Sequence, residues 1–356
     1  MKFVKRAVIT VLILAVVLVG FVIKTLIDAG EFREIKPHFN GQVKAFGGVL
    51  SSEDITIHSQ SAMAFISSDD RRAHQPWSKT RARQGAILGL DLGASKPGLT
   101  NLTADFNKEL NPHGISLWTA ANGTLSVFVV NHRRDGHFVE IFDYRGGKLI
   151  HRQSLSGLLM HSPNDVLAVG DNTFYVTNDH GSTTELGRMA EDYLQLARSY
   201  VLFYNGDNFR KVAEALAYAN GINMSPDGQT VYVAATVGQK IYVYDRDRTT
   251  GDLSHRTTIE AGTGVDNIEI DRQGDLWIGS HPKLLTFVKH SKDPAVLSPS
   301  QVIKVENKAP GQYEITEIYL SNGIPLSASS VAAVFENFLL IGAVFEERFL
   351  LCTMKN

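Results

Sequence analysis

A chain of 356 residues with 44% apolar and 20% charged side chains can bury the core of one large globular domain. A formal net charge of −2, with no basic stripe interleaved with aromatics, excludes nucleic-acid binding driven by general electrostatics. A single cysteine, Cys352, excludes internal disulfides and every cysteine-based metal motif.

The first predicted element is an N-terminal helix. Lys2, Lys5 and Arg6 precede an uncharged run from Ala7 to Ile23. Its length is close to the minimum for crossing a bilayer core and exceeds the usual apolar centre of a cleaved signal. No small-residue cleavage site follows; Lys24 does. Residues 1–28 therefore read as an uncleaved signal anchor or transmembrane helix. Its basic flank stays in the cytoplasm, and residues 29–356 lie outside as a periplasmic, extracellular or lumenal domain. If the segment is cleaved, that domain is secreted.

Beyond the anchor, one short helix is expected near Leu186–Ser199. The rest is short apolar runs punctuated by Gly, Asn, Asp and Pro, an all-β pattern. A degenerate unit recurs: a polar residue or pair, an alternating apolar strand, a turn, and a second apolar strand. Copies begin at Ser51, Pro112, Pro163, Ala219 and Val265, with a weaker sixth at Ser329. Most carry a Gly- or Asn-bearing hairpin turn, in AANG, VGDN, SPDG, DRQG and FEN. The markers Asp54, His113, Asn164, Asn220 and Asp266 recur at intervals of about fifty residues, a period suited to four-stranded propeller blades. The expected fold is an all-β, six-bladed β-propeller with an N-terminal hydrophobic helix. A two-sheet sandwich, the competing architecture, does not require a polar residue at the head of each hairpin.

In a propeller the first strand of each blade lines the central channel, so these polar heads converge at one mouth. Glu53, Asn164, Asn220, Asp266 and Asn267 together offer carboxylate and amide oxygens, a donor set that suits Ca²⁺. Zinc would call for His or Cys and fewer ligands. Any single Asn or Asp before a strand is most often a turn or capping residue; repetition at equivalent places carries the argument.

At these residues the sequence resembles the paraoxonase/arylesterase family. The matching motifs are NPHGIS (Asn111–Ser116), VVNH (Val129–His132), PNDVLAVG with FYVTNDH (Pro163–His180), ANGINMSPDG (Ala219–Gly228) and VDNIEIDRQGDLWIGSHP (Val265–Pro282). They occur in family order, and the resemblance runs from about Glu53 to Cys352. It implies a calcium-dependent carboxylic ester hydrolase, an arylesterase or lactonase, with organophosphate hydrolysis as a side activity. It also implies two calcium ions. Glu53, Asn164, Asn220, Asp266 and Asn267 match the ligands of the catalytic ion. Asp54 and Asp165, with the backbone carbonyl of Ile115, match those of a deeper structural ion. His113 and His132 match a histidine dyad, and His281 a further histidine of the substrate pocket.

The expected chemistry is attack on a metal-bound carbonyl by a water that His113 activates, with His132 orienting it or passing the proton onward. A direct role for the Asp266 or Glu53 carboxylate is the rival within that scheme. No GxSxG motif supports a serine nucleophile. Two departures from the family pattern stand out. Family members from mammals close the propeller with a disulfide, but no cysteine near Gln42–Gly48 faces Cys352. Asp69, Asp70, Arg71 and Arg72 replace an apolar, aromatic pocket loop. The alternatives are a calcium-stabilised, non-catalytic scaffold at a membrane, and a propeller enzyme of the gluconolactonase or strictosidine-synthase kind.

Overall fold

The computed structural model describes residues 2–74, 78, 80, 82–309 and 311–355. Among these, the strands form six antiparallel sheets, five of four strands and one of five. The innermost strands are Asp54–His58, Pro112–Thr119, Pro163–Gly170, Ala219–Met224, Gly264–Ile270 and Ser329–Phe335. Each packs on the next, and the last packs on the first, so the ring closes as a six-bladed propeller. The weak sixth unit at Ser329 is thus a full blade. Blades are numbered here from the one containing Asp54.

Each blade lies between two others, so its middle strands are apolar on both faces; Thr230–Ala235 and Ser199–Tyr204 are buried throughout. The core sits between blades. Phe128, Val130 and Val139 of blade 2 pack against Val166, Phe174 and Leu202 of blade 3. Each such side chain contributes about 1.5–3 kcal/mol on burial. The predicted turns reverse the chain through positive φ at Gly123, Gly228 and Gly274. In FEN that role falls to Glu336, at φ 54°.

Closure joins the two ends of the propeller. Gly41–Gly47 pairs with Arg348–Met354 and completes blade 6 from the outside, Gly41 facing Met354 and Gly47 facing Arg348. Val43 stands opposite Cys352, so strand pairing alone makes the joint. The Cys352 thiol is fully buried, and that burial pushes its pKa up to about 12.

Helix Lys2–Asp28 leaves its apolar side chains exposed and is long and apolar enough to cross a membrane, a test that signal sequences also pass. The predicted second helix spans Glu185–Tyr193, with the Thr184 hydroxyl accepting from the Gly187 N–H. It stops short of Ser199 because that residue opens the strand Ser199–Tyr204. A third helix, Leu284–Lys292, was not anticipated. Its N-cap residue, Lys283, makes no side-chain cap. Glu31 supplies one from far away in sequence, accepting from the Thr286 N–H at 2.9 Å and the Thr286 hydroxyl at 2.8 Å. The Ala29 carbonyl accepts from the Leu284 N–H, also at 2.9 Å. The chain leaving the N-terminal helix is therefore fastened directly beside His281.

Candidate active site

A regular strand sends successive side chains to opposite faces, yet pairs such as Asp266-Asn267 must both reach the channel. Register irregularities resolve this. Pairing slips between Pro112 and Ile115, Pro163 and Val166, Ala219 and Ile222, and Val265 and Ile268. In each stretch two residues stand opposite one: His113-Gly114, Asn164-Asp165, Asn220-Gly221 and Asp266-Asn267. The bulges re-aim the polar heads at the same mouth. The glycines are required by the crowding that results. A Cβ on Gly114 would lie 2.2 Å from Asp165 Oδ1, and one on Gly221 would lie 2.5 Å from the Asp266 carbonyl oxygen.

The residues predicted to bind the catalytic ion are all buried at the heads of their blades, each at most 4% exposed. Asn267 Nδ2 donates to the Glu53 carbonyl at 2.9 Å and to Glu53 Oε1 at 3.1 Å. Asn220 Nδ2 donates to Thr236 Oγ1 at 2.9 Å, and that hydroxyl donates to the Val265 carbonyl at 2.7 Å. Asn164 Nδ2 donates to Asp179 Oδ2 at 3.3 Å. Asp266 Oδ2 meets His281 Nε2 at 2.8 Å. With one end of each side chain held this way, the opposite oxygens are left over. Glu53 Oε2, Asn164 Oδ1, Asn220 Oδ1, Asp266 Oδ1 and Asn267 Oδ1 are all buried and accept no hydrogen bond. A buried, unsatisfied acceptor costs about 1–3 kcal/mol; five of them with two carboxylates fit a divalent, oxygen-seeking cation. Among the described residues no three His, Cys, Asp or Glu side chains are grouped as a metal centre; the leftover oxygens come from two carboxylates and three amides.

Burial alone would raise the Glu53 carboxyl, but His113 and Arg71 outweigh it and hold the pKa at about 2. His113 Nε2 lies 3.4 Å from Glu53 Oε1, and an Arg71 terminal nitrogen lies 3.5 Å from Oε2. Burial raises the Asp266 carboxyl, with His281 pulling it back. Deeper in the channel, Asp54 Oδ2 accepts from the Ile115 N–H at 2.7 Å, and Asp165 Oδ2 from the Ile222 N–H at 2.8 Å. Burial and the neighbouring carboxylates push both well above the usual range. Both also line a cavity of about 410 Å³ at the opposite end of the channel, together with Thr56 and Glu269.

His113 and His132 are joined, Nδ1 to Nε2, at 2.8 Å. Burial, then the nearby His113 and His137, drives His132 well below the ordinary histidine value. The His281 ring packs on Phe287 of the third helix, with centroids 4.1 Å apart. The Asp69–Arg72 loop is fastened at the same mouth. Arg72 donates to the His290 and Ser291 carbonyls at 2.6 and 3.0 Å and lies over the Phe345 ring. Arg71 donates to the Pro112 carbonyl at 3.4 Å.

Sequence reasoning missed the residues that orient the ring. Thr236 and Asp179 come from the ends of second strands, as His132 and His281 do. Asp179 is itself held by His180, whose pKa is raised to about 10: burial opposes the charge, but Asp179 and Asp192 outweigh it. The signal was present in VTNDH, which ends its strand as VVNH and GSH end theirs. Thr236→Val is expected to free the Asn220 amide and weaken calcium binding about 10- to 100-fold, as loss of a ligand's supporting partner typically does. Calorimetric titration of metal-stripped protein measures this, and an unchanged affinity would remove Thr236 from the site.

The arylesterase family profile matches residues 46–354. Human serum paraoxonase/arylesterase 1 is 35% identical over 329 residues, covering 88% of this chain and 90% of its own. Rat serum paraoxonase/arylesterase 2 is 36% identical over 281 residues, covering 76% and 77%. Among solved structures, a gluconolactonase from Xanthomonas campestris superposes with a TM-score of 0.53 at 17% identity, covering 89% of this chain and 91% of its own. The calcium-binding protein regucalcin from Agrobacterium tumefaciens gives 0.53 at 15%, covering 89% and 96%. These last two likenesses are of fold alone. With its profile matched over residues 46–354, and with a relative 35% identical over 90% of that relative's length, the chain belongs to the arylesterase family.

Proposed function

We propose that this protein is a calcium-dependent hydrolase of lactones and aryl esters whose active site is the channel mouth bearing Glu53, His113 and Asp266. The observation that carries the reading is the set of five oxygens, from the heads of four blades, that are buried and without hydrogen-bond donors. Calcium bound by Glu53, Asn164, Asn220, Asp266 and Asn267 would supply a Lewis acid for the substrate carbonyl oxygen. Asp54 and Asp165, with the Ile115 carbonyl, would hold a second, structural ion. His113 acts as general base, taking a proton from water at Nε2, in the tautomer that carries its own proton on Nδ1, the atom that lies 2.8 Å from His132 Nε2. His281 fixes Asp266 through its Nε2 and forms one wall of the substrate pocket with Phe287. The N-terminal helix anchors the enzyme to a membrane with the propeller on the extracytoplasmic side.

The test is hydrolysis of phenyl acetate and a panel of lactones by purified protein, with calcium, after EGTA, and after calcium is restored. Activity that EGTA removes and calcium returns supports the reading. A folded, calcium-stabilised protein that turns over no ester or lactone would refute it and point to a binding scaffold.

A further inference from the structure

The histidine chain does not end at His132. The strands Leu125–Arg133 and Gly136–Arg145 form a hairpin whose turn is Arg133–Gly136, with His132 and His137 as direct cross-strand partners. Such partners share a face of the sheet. Arg133 clamps the turn by donating to both Asp135 carboxylate oxygens, at 2.9 and 2.6 Å, and its guanidinium lies 4.1 Å from the Phe138 ring centroid. His132 Nδ1 then meets His137 Nδ1 at 2.9 Å, with ring centroids 4.9 Å apart. His137 is half-buried, two residues from the exposed Asp135 at the hairpin tip.

We propose that His137 is the third station of a proton relay, His113–His132–His137, that carries the proton of ester hydrolysis from the channel mouth to bulk water. The inference rests on the hydrolase function proposed above. Hydrolysis at neutral pH breaks one acyl C–O bond and forms another to the water oxygen. Of the two water protons, one ends on the departing alcohol and the other must reach solvent. Three neutral imidazoles, each with one N–H, provide the path. Protonation at His113 Nε2 shifts His113 Nδ1–H to His132 Nε2, His132 Nδ1–H to His137 Nδ1, and releases the proton on His137 Nε2. Each ring is neutral before and after. Burial, and then the charge of Arg188 on the helix Glu185–Tyr193, lowers the His137 pKa; His113 and His161 act in the same direction and Asp179 opposes them. A ring so disposed passes a proton on rather than keeping it.

The experiment compares wild type with His137→Ala, which leaves room for free imidazole, and His137→Asn, which keeps hydrogen-bonding capacity but relays no proton. Rates are taken on one good ester substrate, at low buffer and with added imidazole, and folding is checked by calcium-dependent melting. The relay predicts that both variants lose kcat by about a hundredfold at low buffer, the low end of what a general acid–base group supplies, with KM unchanged. Imidazole restores His137→Ala. If His137→Asn turns over like wild type, or if no buffer restores His137→Ala, His137 only holds the His132 ring and the relay is refuted. Should His137→Ala fail to fold, His137→Asn alone decides by its kcat. A wild-type protein inactive on every ester and lactone removes the hydrolase function and the relay together, an outcome distinct from an active enzyme indifferent to residue 137.

Discussion

Asp266→Ala is expected to lower kcat/KM for an aryl ester on the order of a thousandfold at saturating calcium, a loss of the size seen when one preorganised electrostatic contact to a developing charge is removed. Asp266 works at both ends. Oδ1 is one of the five unsatisfied oxygens, and Oδ2 holds His281 Nε2 at 2.8 Å. Truncation takes away one of the ring's two carboxylates and leaves a fully buried imidazole without its acceptor, which costs a further 1–3 kcal/mol or so of stability. Asp266→Asn keeps the shape and one oxygen but loses the charge, and is expected to fall between wild type and alanine. Steady-state kinetics with calorimetric calcium titration separate the two contributions. An alanine variant within tenfold of wild type, with calcium bound normally, would take Asp266 out of the chemistry.

Calcium removal is expected to destabilise the protein more strongly as pH rises. Without a cation, burial and mutual repulsion hold the Asp54 and Asp165 carboxyls well above the ordinary value. A carboxyl whose folded pKa exceeds its unfolded value of about 4 favours the folded state fully below that pH and loses its contribution as pH rises toward the folded pKa. Glu53, held at about 2, is ionised in the folded protein across this window with or without calcium, so its own titration drops out of the difference. The calcium-dependent gain in Tm should therefore be small near pH 4.5 and grow toward neutrality. Its limit is set by mass action, about 4 kcal/mol at calcium a thousandfold above Kd. Melting curves with calcium and with EGTA across this range measure it, and a gain independent of pH would mean that the deep carboxylates do not hold a metal.

The repeated heads of the blades were legible because six copies of one local solution occur in one chain. Each is a polar residue, a strand and a tight turn, and that regularity is itself visible. The bulges that turn two successive side chains inward were not legible, since they depend on how one strand registers against another. Nor was the cap on the third helix, because Glu31 lies more than two hundred residues from Thr286. Thr236 looked like an ordinary strand-end residue; only its distance from Asn220 gives it a role. His137 sat in plain view in HRRDGH, but its value came from the turn length that places it across from His132.

The closing joint between Gly41–Gly47 and Arg348–Met354 also governs how the protein is made. The strand Gly41–Gly47 waits without a sheet partner until Arg348–Met354 has emerged, because that strand is its only neighbour in the sheet among the described residues. Contacts of such long sequence separation form slowly. Meanwhile Gly41–Gly47 and the unfinished sixth blade present bare edges to other chains, the usual seed of aggregation. A chain lacking Arg348–Met354 would leave that edge open permanently. Completion of the sixth blade thus depends on two strands that lie far apart in the chain, Gly41–Gly47 and Arg348–Met354, both being present.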